Sequence, residues 1–173
     1  MESNSFAGTG VDFKGNKYIK LAIIAGLIIA ADQLTKTLIY NFLPLHQSIS
    51  IIPGFFNITH IHNPGGAFGF LSDKSPQLRN FIFLFISSLA VCLIFWFYKK
   101  TPPSHPVLAF GFALIFGGAI GNLIDRIRNG WVIDFLDFFV ANLHWPAFNV
   151  ADSAISIGIF IFALHLLLKK MPD

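Results

Sequence analysis

Asp134 and Asp152 stand eighteen positions apart, one before and one just inside the last of four lipid-length apolar stretches, in a chain with only nine acidic residues. A carboxylate at or below a membrane surface loses hydration, which is costly unless it has a partner or a task. Two of them brought together could perform acid/base chemistry, because like charges at close range raise one of the two pKa values and let the pair hold one proton.

Other polar residues cluster around the apolar stretches. Asn149, Asp152, Ser153 and Ser156 recur at i, i+3, i+4 and i+7, so on a helix they form one polar stripe that must face protein or water. Asn and Ser in such a stripe serve as interhelical glue, whereas a carboxylate is poor glue without a cation. The run from Gly117 to Arg126 places Gly117 and Gly121 at the spacing that lets helix backbones approach, and puts Asn122, Asp125 and Arg126 on one face. That face could orient a peptide or a phosphate, or simply be an interfacial Asp with a snorkelling Arg. Asp32 and Lys36, four residues apart, read as an intrahelical ion pair. Asn63-Pro64-Gly65-Gly66-Ala67-Phe68 is a turn-forming run.

Competing chemistries have weaker footing. His60 and His62 alternate as on a strand, but no third ligand follows at a recognisable spacing, so no metal site is expected. There is no HExxH and no nucleophile elbow. Ser153 would need a base such as Lys36, on another helix, to reach it.

The elements that must position these residues are set by composition. A hydrophobic share of 54% and a charged share of 12% place the 173 residues in the membrane class, and a mean hydropathy of +0.65 agrees. Spans are expected at about residues 18–43, 78–98, 107–127 and 148–168. Residues 1–16 read as a polar tail and 17–173 as one integral-membrane domain. The tail's basic end and the apolar run after it imitate a secretory signal, but no small-residue cleavage site follows, so the first span reads as retained. Lys14, Lys17, Lys20, Lys99, Lys100, Lys169 and Lys170 flank the spans and place both termini and the loop between the second and third helices in the cytoplasm. These lysines call for phospholipid headgroups, and no basic patch calls for nucleic acid. The two outer loops are then residues 44–77 and 128–147. The first carries two short strands, 48–52 and 55–59, around Pro53-Gly54, a small sheet resting on the outer membrane face. The second is aromatic enough to lie in the interface as a segment before helix four. Cys92, the only cysteine, rules out an intramolecular disulfide.

Five of these runs, in order on this topology, resemble the lipoprotein signal peptidases, or signal peptidase II, integral-membrane aspartic proteases of bacteria. They are Asp32-Gln33-Leu34-Thr35-Lys36, Asn63 to Phe68, Gly117 to Arg126, Val132-Ile133-Asp134-Phe135 and Phe148-Asn149-Val150-Ala151-Asp152. The likeness runs from about residue 28 to 158 and departs at Gly66, where the family usually has alanine. It implies an all-α polytopic fold of four membrane helices with a small extracytoplasmic β-cradle. It also implies removal of signal peptides from prolipoproteins, just before a cysteine carrying diacylglycerol, at the outer face of the cytoplasmic membrane. On the family's motifs Asp134 and Asp152 become the catalytic pair, ahead of the competing Asp125. Asp32, Lys36, Asn63, Gly65, Gly121, Asn122, Asp125, Arg126 and Asn149 become residues that shape or line the site. No cofactor or metal is needed for two carboxylates and a water, and a monomer is expected. The alternative is a small proton- or cation-linked transporter using Asp32, Asp125 and Asp152. Against it, the acids cluster toward the outer half and no inverted repeat is visible. A purely structural membrane protein would explain the glycines but not the Asp pair.

Overall fold

The computed structural model describes residues 17–65 and 75–168. The tail of residues 1–16, Gly66, Ala67 and Phe68 of the glycine-rich turn, and Lys169 and Lys170 lie outside them. Four helices, α1 (Lys17–Phe42), α2 (Pro76–Lys100), α3 (Pro106–Asn129) and α4 (Val150–Leu167), are each long and apolar enough to cross a membrane. Four strands, β1 (Ser48–Ile52), β2 (Phe56–Asn63), β3 (Val132–Val140) and β4 (Leu143–His144), form one antiparallel sheet in that order.

Helix ends follow local chemistry. Ser75 caps α2 by accepting from the Leu78 N–H at 3.3 Å, with Pro76 in the first turn where its missing N–H costs nothing. Gly130, at φ 79°, takes the left-handed conformation that ends α3. Asn149 caps α4, so the helix starts two residues later than expected.

Helix α3 is central and packs on the other three. Its lower half contributes Leu108, Phe112, Ala113 and Ile115 to a core completed by Leu21 and Tyr98. Its upper half carries glycines that let α4 close in; a methyl group at Gly118 would collide with the Ala151 carbonyl oxygen. The seam of α4 is therefore Ala151, Ala154 and Gly158, all buried at i, i+3 and i+7 spacing. This corrects the expected polar stripe: Ser153 turns back and donates to the Asn149 carbonyl at 2.9 Å, while Ser156 is exposed. Small residues won the seam because they allow backbone contact that Ser156 would hold apart.

The second correction concerns the loop after α3. Residues expected only to lie in the interface, with no strand assigned to them, form β3, paired with β2 through Ile61↔Asp134 and Asn63↔Val132. Its β-branched and aromatic content suits a strand. Val132, Ile133, Asp134 and Phe135 are all buried, so both faces are covered and the polar alternation that signals a strand is absent. Beyond it, Leu143 and Trp145 are exposed and keep the interfacial character. Strand β3 then holds the start of α4: the Phe135 and Leu136 N–H groups donate to the Phe148 carbonyl at 3.0 and 2.8 Å, and the Phe148 N–H returns to Leu136 at 3.1 Å.

Candidate active site

That pairing brings Asp134, on β3, beside Asp152, in the first turn of α4. Asn149 touches both. Its side-chain oxygen accepts from the Asp152 N–H at 2.9 Å, and Asp152 Oδ2 accepts from the Asn149 N–H at 3.3 Å, a reciprocal capping box. Its amide nitrogen donates to Asp134 Oδ1 at 2.7 Å and to the Ile133 carbonyl at 3.2 Å. Asp134 Oδ2 accepts from Asn63 Nδ2 at 2.8 Å, and Asp152 Oδ1 accepts from Asn122 Nδ2 at 2.8 Å. Burial pushes the Asp134 carboxyl up to about 6; the Asp152 charge adds to this, while the Asn63 and Asn149 donors and the Lys36 charge oppose it.

Behind the two acids lies a buried polar cluster held by Lys36. Its ammonium donates to Asp32 Oδ2 at 2.8 Å and to Asn122 Oδ1 at 2.9 Å, and forms an ion pair with Asp125 Oδ2 at 2.8 Å. The contact with Asn122 orients that amide, oxygen toward the cation and nitrogen toward Asp152. Asp32 in turn accepts from the Ala151 N–H at 3.0 Å, placing a carboxylate at the N-terminus of α4. Gly121 makes room for it, since a Cβ there would lie 2.7 Å from Asp32 Oδ2. Arg126 donates to the Asn122 carbonyl at 3.3 Å, and its charge acts on Asp152, Asp134 and Asp125. Gly65, at φ 91°, donates its N–H to Asn63 Oδ1 at 2.9 Å and so turns that side chain toward Asp134.

The family model for signal peptidase (SPase) II matches residues 24–168. The chain belongs to the signal peptidase II family. It is 56% identical over 155 residues to a lipoprotein signal peptidase of Desulforapulum autotrophicum, covering 90% of this chain and 96% of that one. A lipoprotein signal peptidase of Syntrophus aciditrophicus is 44% identical over 152 residues, 88% of this chain and 94% of that protein. Among solved structures, a bacterial membrane enzyme determined by the in meso method at 2.3 Å resolution superposes with a TM-score of 0.77 at 32% identity, covering 87% of this chain and 89% of the other. The peptidase is therefore a membrane-spanning aspartic protease, which selects that reading over the transporter.

All eleven residues singled out in the sequence fall within this one cluster of the peptidase. Asp32 and Lys36 form the expected ion pair, but Lys36 also binds Asp125, which takes Asp125 away from the two outer acids. One residue was passed over. Gln33 donates to Asp125 Oδ1 at 2.8 Å and to the Gly121 carbonyl at 3.2 Å, tying α1 to α3; its position beside Asp32 in a lipid-length helix was the available signal. His60 and His62 brace the sheet. Their Nε2 atoms meet at 3.1 Å, His60 Nδ1 lies 2.7 Å from the Leu43 carbonyl, and His62 stacks on Trp131. Among the described residues, no three His, Cys, Asp or Glu side chains converge as metal ligands.

Proposed function

We propose that Asp134 and Asp152 are the catalytic pair of this peptidase and share one proton, carried by Asp134 in the resting site. As a signal peptidase II, the chain removes signal peptides from prolipoproteins. The observation that carries the catalytic reading is the Asn149 side chain, fully buried and bonded to Asp134 and to the Asp152 backbone together. Four carboxylates, Asp32, Asp125, Asp134 and Asp152, face two cations, Lys36 and Arg126, so a retained proton relieves part of the excess negative charge. Burial favours Asp134 as its holder, whereas Asp152 sits at the positive end of α4 with two N–H donors.

The steps then balance. Asp152 takes a proton from water, the resulting hydroxide oxygen attacks the scissile carbonyl carbon, and Asp134 gives its proton to the carbonyl oxygen. On collapse, the C–N bond breaks, Asp152 returns its proton to the leaving amine, and Asp134 recovers one from a hydroxyl of the intermediate. Asn63, Asn122 and Asn149 hold the two carboxyl groups in place; Asp32, Lys36, Gly65, Gly121, Asp125 and Arg126 hold those amides and the helices that carry them.

The bond cut lies just before the diacylglyceryl-modified cysteine. The site faces the outer side of a bacterial cytoplasmic membrane, because Lys17, Lys20, Lys99 and Lys100 gather at the opposite end of the bundle. Substrate acyl chains stay in lipid, phospholipids cover the exposed Leu, Ile and Phe side chains of the helices, and the peptidase acts as a monomer. Asp134→Asn and Asp152→Asn should each abolish cleavage of a lipidated reporter by purified, membrane-inserted protein, with wild-type cleavage surviving a chelator. Full activity in either variant refutes the assignment.

A further inference from the structure

A second concavity lies at the other end of the bundle. Its volume is about 380 Å³, within the ~300–1,000 Å³ range of small-molecule sites. Lys17, Lys20 and Ile24 line one wall as a stripe at i, i+3 and i+7 on α1. Tyr98, Thr101, Pro102 and Pro103 close the end, and the first turn of α3, with Ala109 and Phe110, forms the other wall.

The walls are pre-formed. The Tyr98 hydroxyl donates to the Lys17 carbonyl, Lys17 Nζ donates to the Lys99 and Thr101 carbonyls at 2.7 and 3.2 Å, and three prolines stiffen the connection. Lys20, by contrast, is exposed and makes no hydrogen bond or ion pair among the described residues. The groove is thus cationic at its rim and apolar inside. At 1.5 Å per residue Lys20 lies roughly 24 Å along α1 from Lys36, close to a hydrocarbon thickness of about 30 Å, so the rim sits at the opposite headgroup layer from the acids.

We propose that this groove is a binding site for one anionic phospholipid of the cytoplasmic leaflet, with its phosphate between Lys17 and Lys20 and the start of an acyl chain against Ile24, Ala109 and Phe110. Charge complementarity selects this occupant, because a soluble anion would leave the apolar walls wet and a zwitterionic lipid would bring its own headgroup cation to a rim that already holds Lys17 and Lys20. The inference uses the membrane orientation given above but not the catalytic assignment. Generic attraction of lysines to the inner leaflet predicts no fixed stoichiometry; a built groove does.

The test is lipid retention by the full chain, extracted from bilayers of mixed phosphatidylglycerol and phosphatidylcholine and weighed intact by native mass spectrometry. One phosphatidylglycerol should be retained per chain, preferred over phosphatidylcholine by about tenfold or more. The double variant Lys17→Gln/Lys20→Gln should lose that preference, whereas Lys99→Gln/Lys100→Gln, which removes the same charge outside the groove, should keep it. Cleavage of a lipidated reporter by both variants checks that each is folded. Equal loss in the two double variants, no retained lipid on the wild-type chain, or no preference for the anionic lipid would overturn the proposal.

Discussion

Replacing Asn149 separates the two tasks of one side chain. In Asn149→Ser the hydroxyl still accepts from the N–H of residue 152 and keeps the helix cap, but nothing reaches Asp134 Oδ1, now served at 2.7 Å. In Asn149→Ala both contacts go. Asp134 becomes a carboxylate as it gives up its proton, and a hydrogen bond to a charged group is worth about 1.5–3 kcal/mol, so both variants should lose about 10- to 150-fold in kcat. Both also leave the Ile133 carbonyl short of a donor, 3.2 Å from the present amide, and so share a common loss of stability. Only the alanine variant loses the cap, about 1 kcal/mol more, or about 2–4 °C in Tm for a chain of this size. The assays are kcat and KM on a lipidated reporter peptide in lipid nanodiscs and Tm of the same preparations. A pH signature accompanies the rate: an N–H donor favours the ionised carboxylate, so its removal should move the alkaline limb of the wild-type profile upward. A serine variant within threefold of wild-type kcat, or serine and alanine variants of equal stability but unequal rate, would refute this division of labour.

Three further outcomes are expected. With its proton on Asp134, whose carboxyl is pushed up to about 6, kcat/KM should fall on the alkaline side, the limb lying at or above about 6; a profile that rises with pH through this range contradicts the assignment. Lys36→Met should cost about 3–5 kcal/mol, because Asp32 and Asp125 stay buried without their cation, and adding Asp32→Asn and Asp125→Asn should recover most of it; a Tm unchanged in the single variant would show the cluster to be uncharged. An unmodified precursor should be turned over far more slowly than a lipidated one, since each acyl CH₂ held in lipid contributes about 0.8 kcal/mol to bringing substrate to the bilayer, and equal kcat/KM for the two would remove the lipid from recognition.

Which parts of this site were legible depends on how far apart in sequence the contacts lie. The Asp32–Lys36 pair could be read directly, because helical geometry alone sets an i, i+4 contact, and it forms at 2.8 Å. The four spans were legible because hydrophobic length is a property of a window, and their ends moved by at most two residues. The hydrogen bond from Lys36 to Asn122 was not: Asn122 is 86 positions away and is reached because Gly121 leaves space for Asp32 between α1 and α3. Asn149 was placed on a helical stripe with Ser156, yet it precedes the helix and works as its cap, and periodicity does not distinguish a first-turn residue from the one that stops short of it. Strand β3 was hidden for a related reason. Its partner β2 lies some seventy residues earlier, and a strand covered on both faces by helix and sheet carries no alternation to read. That strand decides the site, because its pairing to Phe148 sets where α4 begins and so brings the Asn149 amide within 2.7 Å of Asp134. Motif order could therefore name the two acids, but what holds them against each other is a backbone contact between Leu136 and Phe148, which any β-compatible residues could make and which leaves no mark in the residue types.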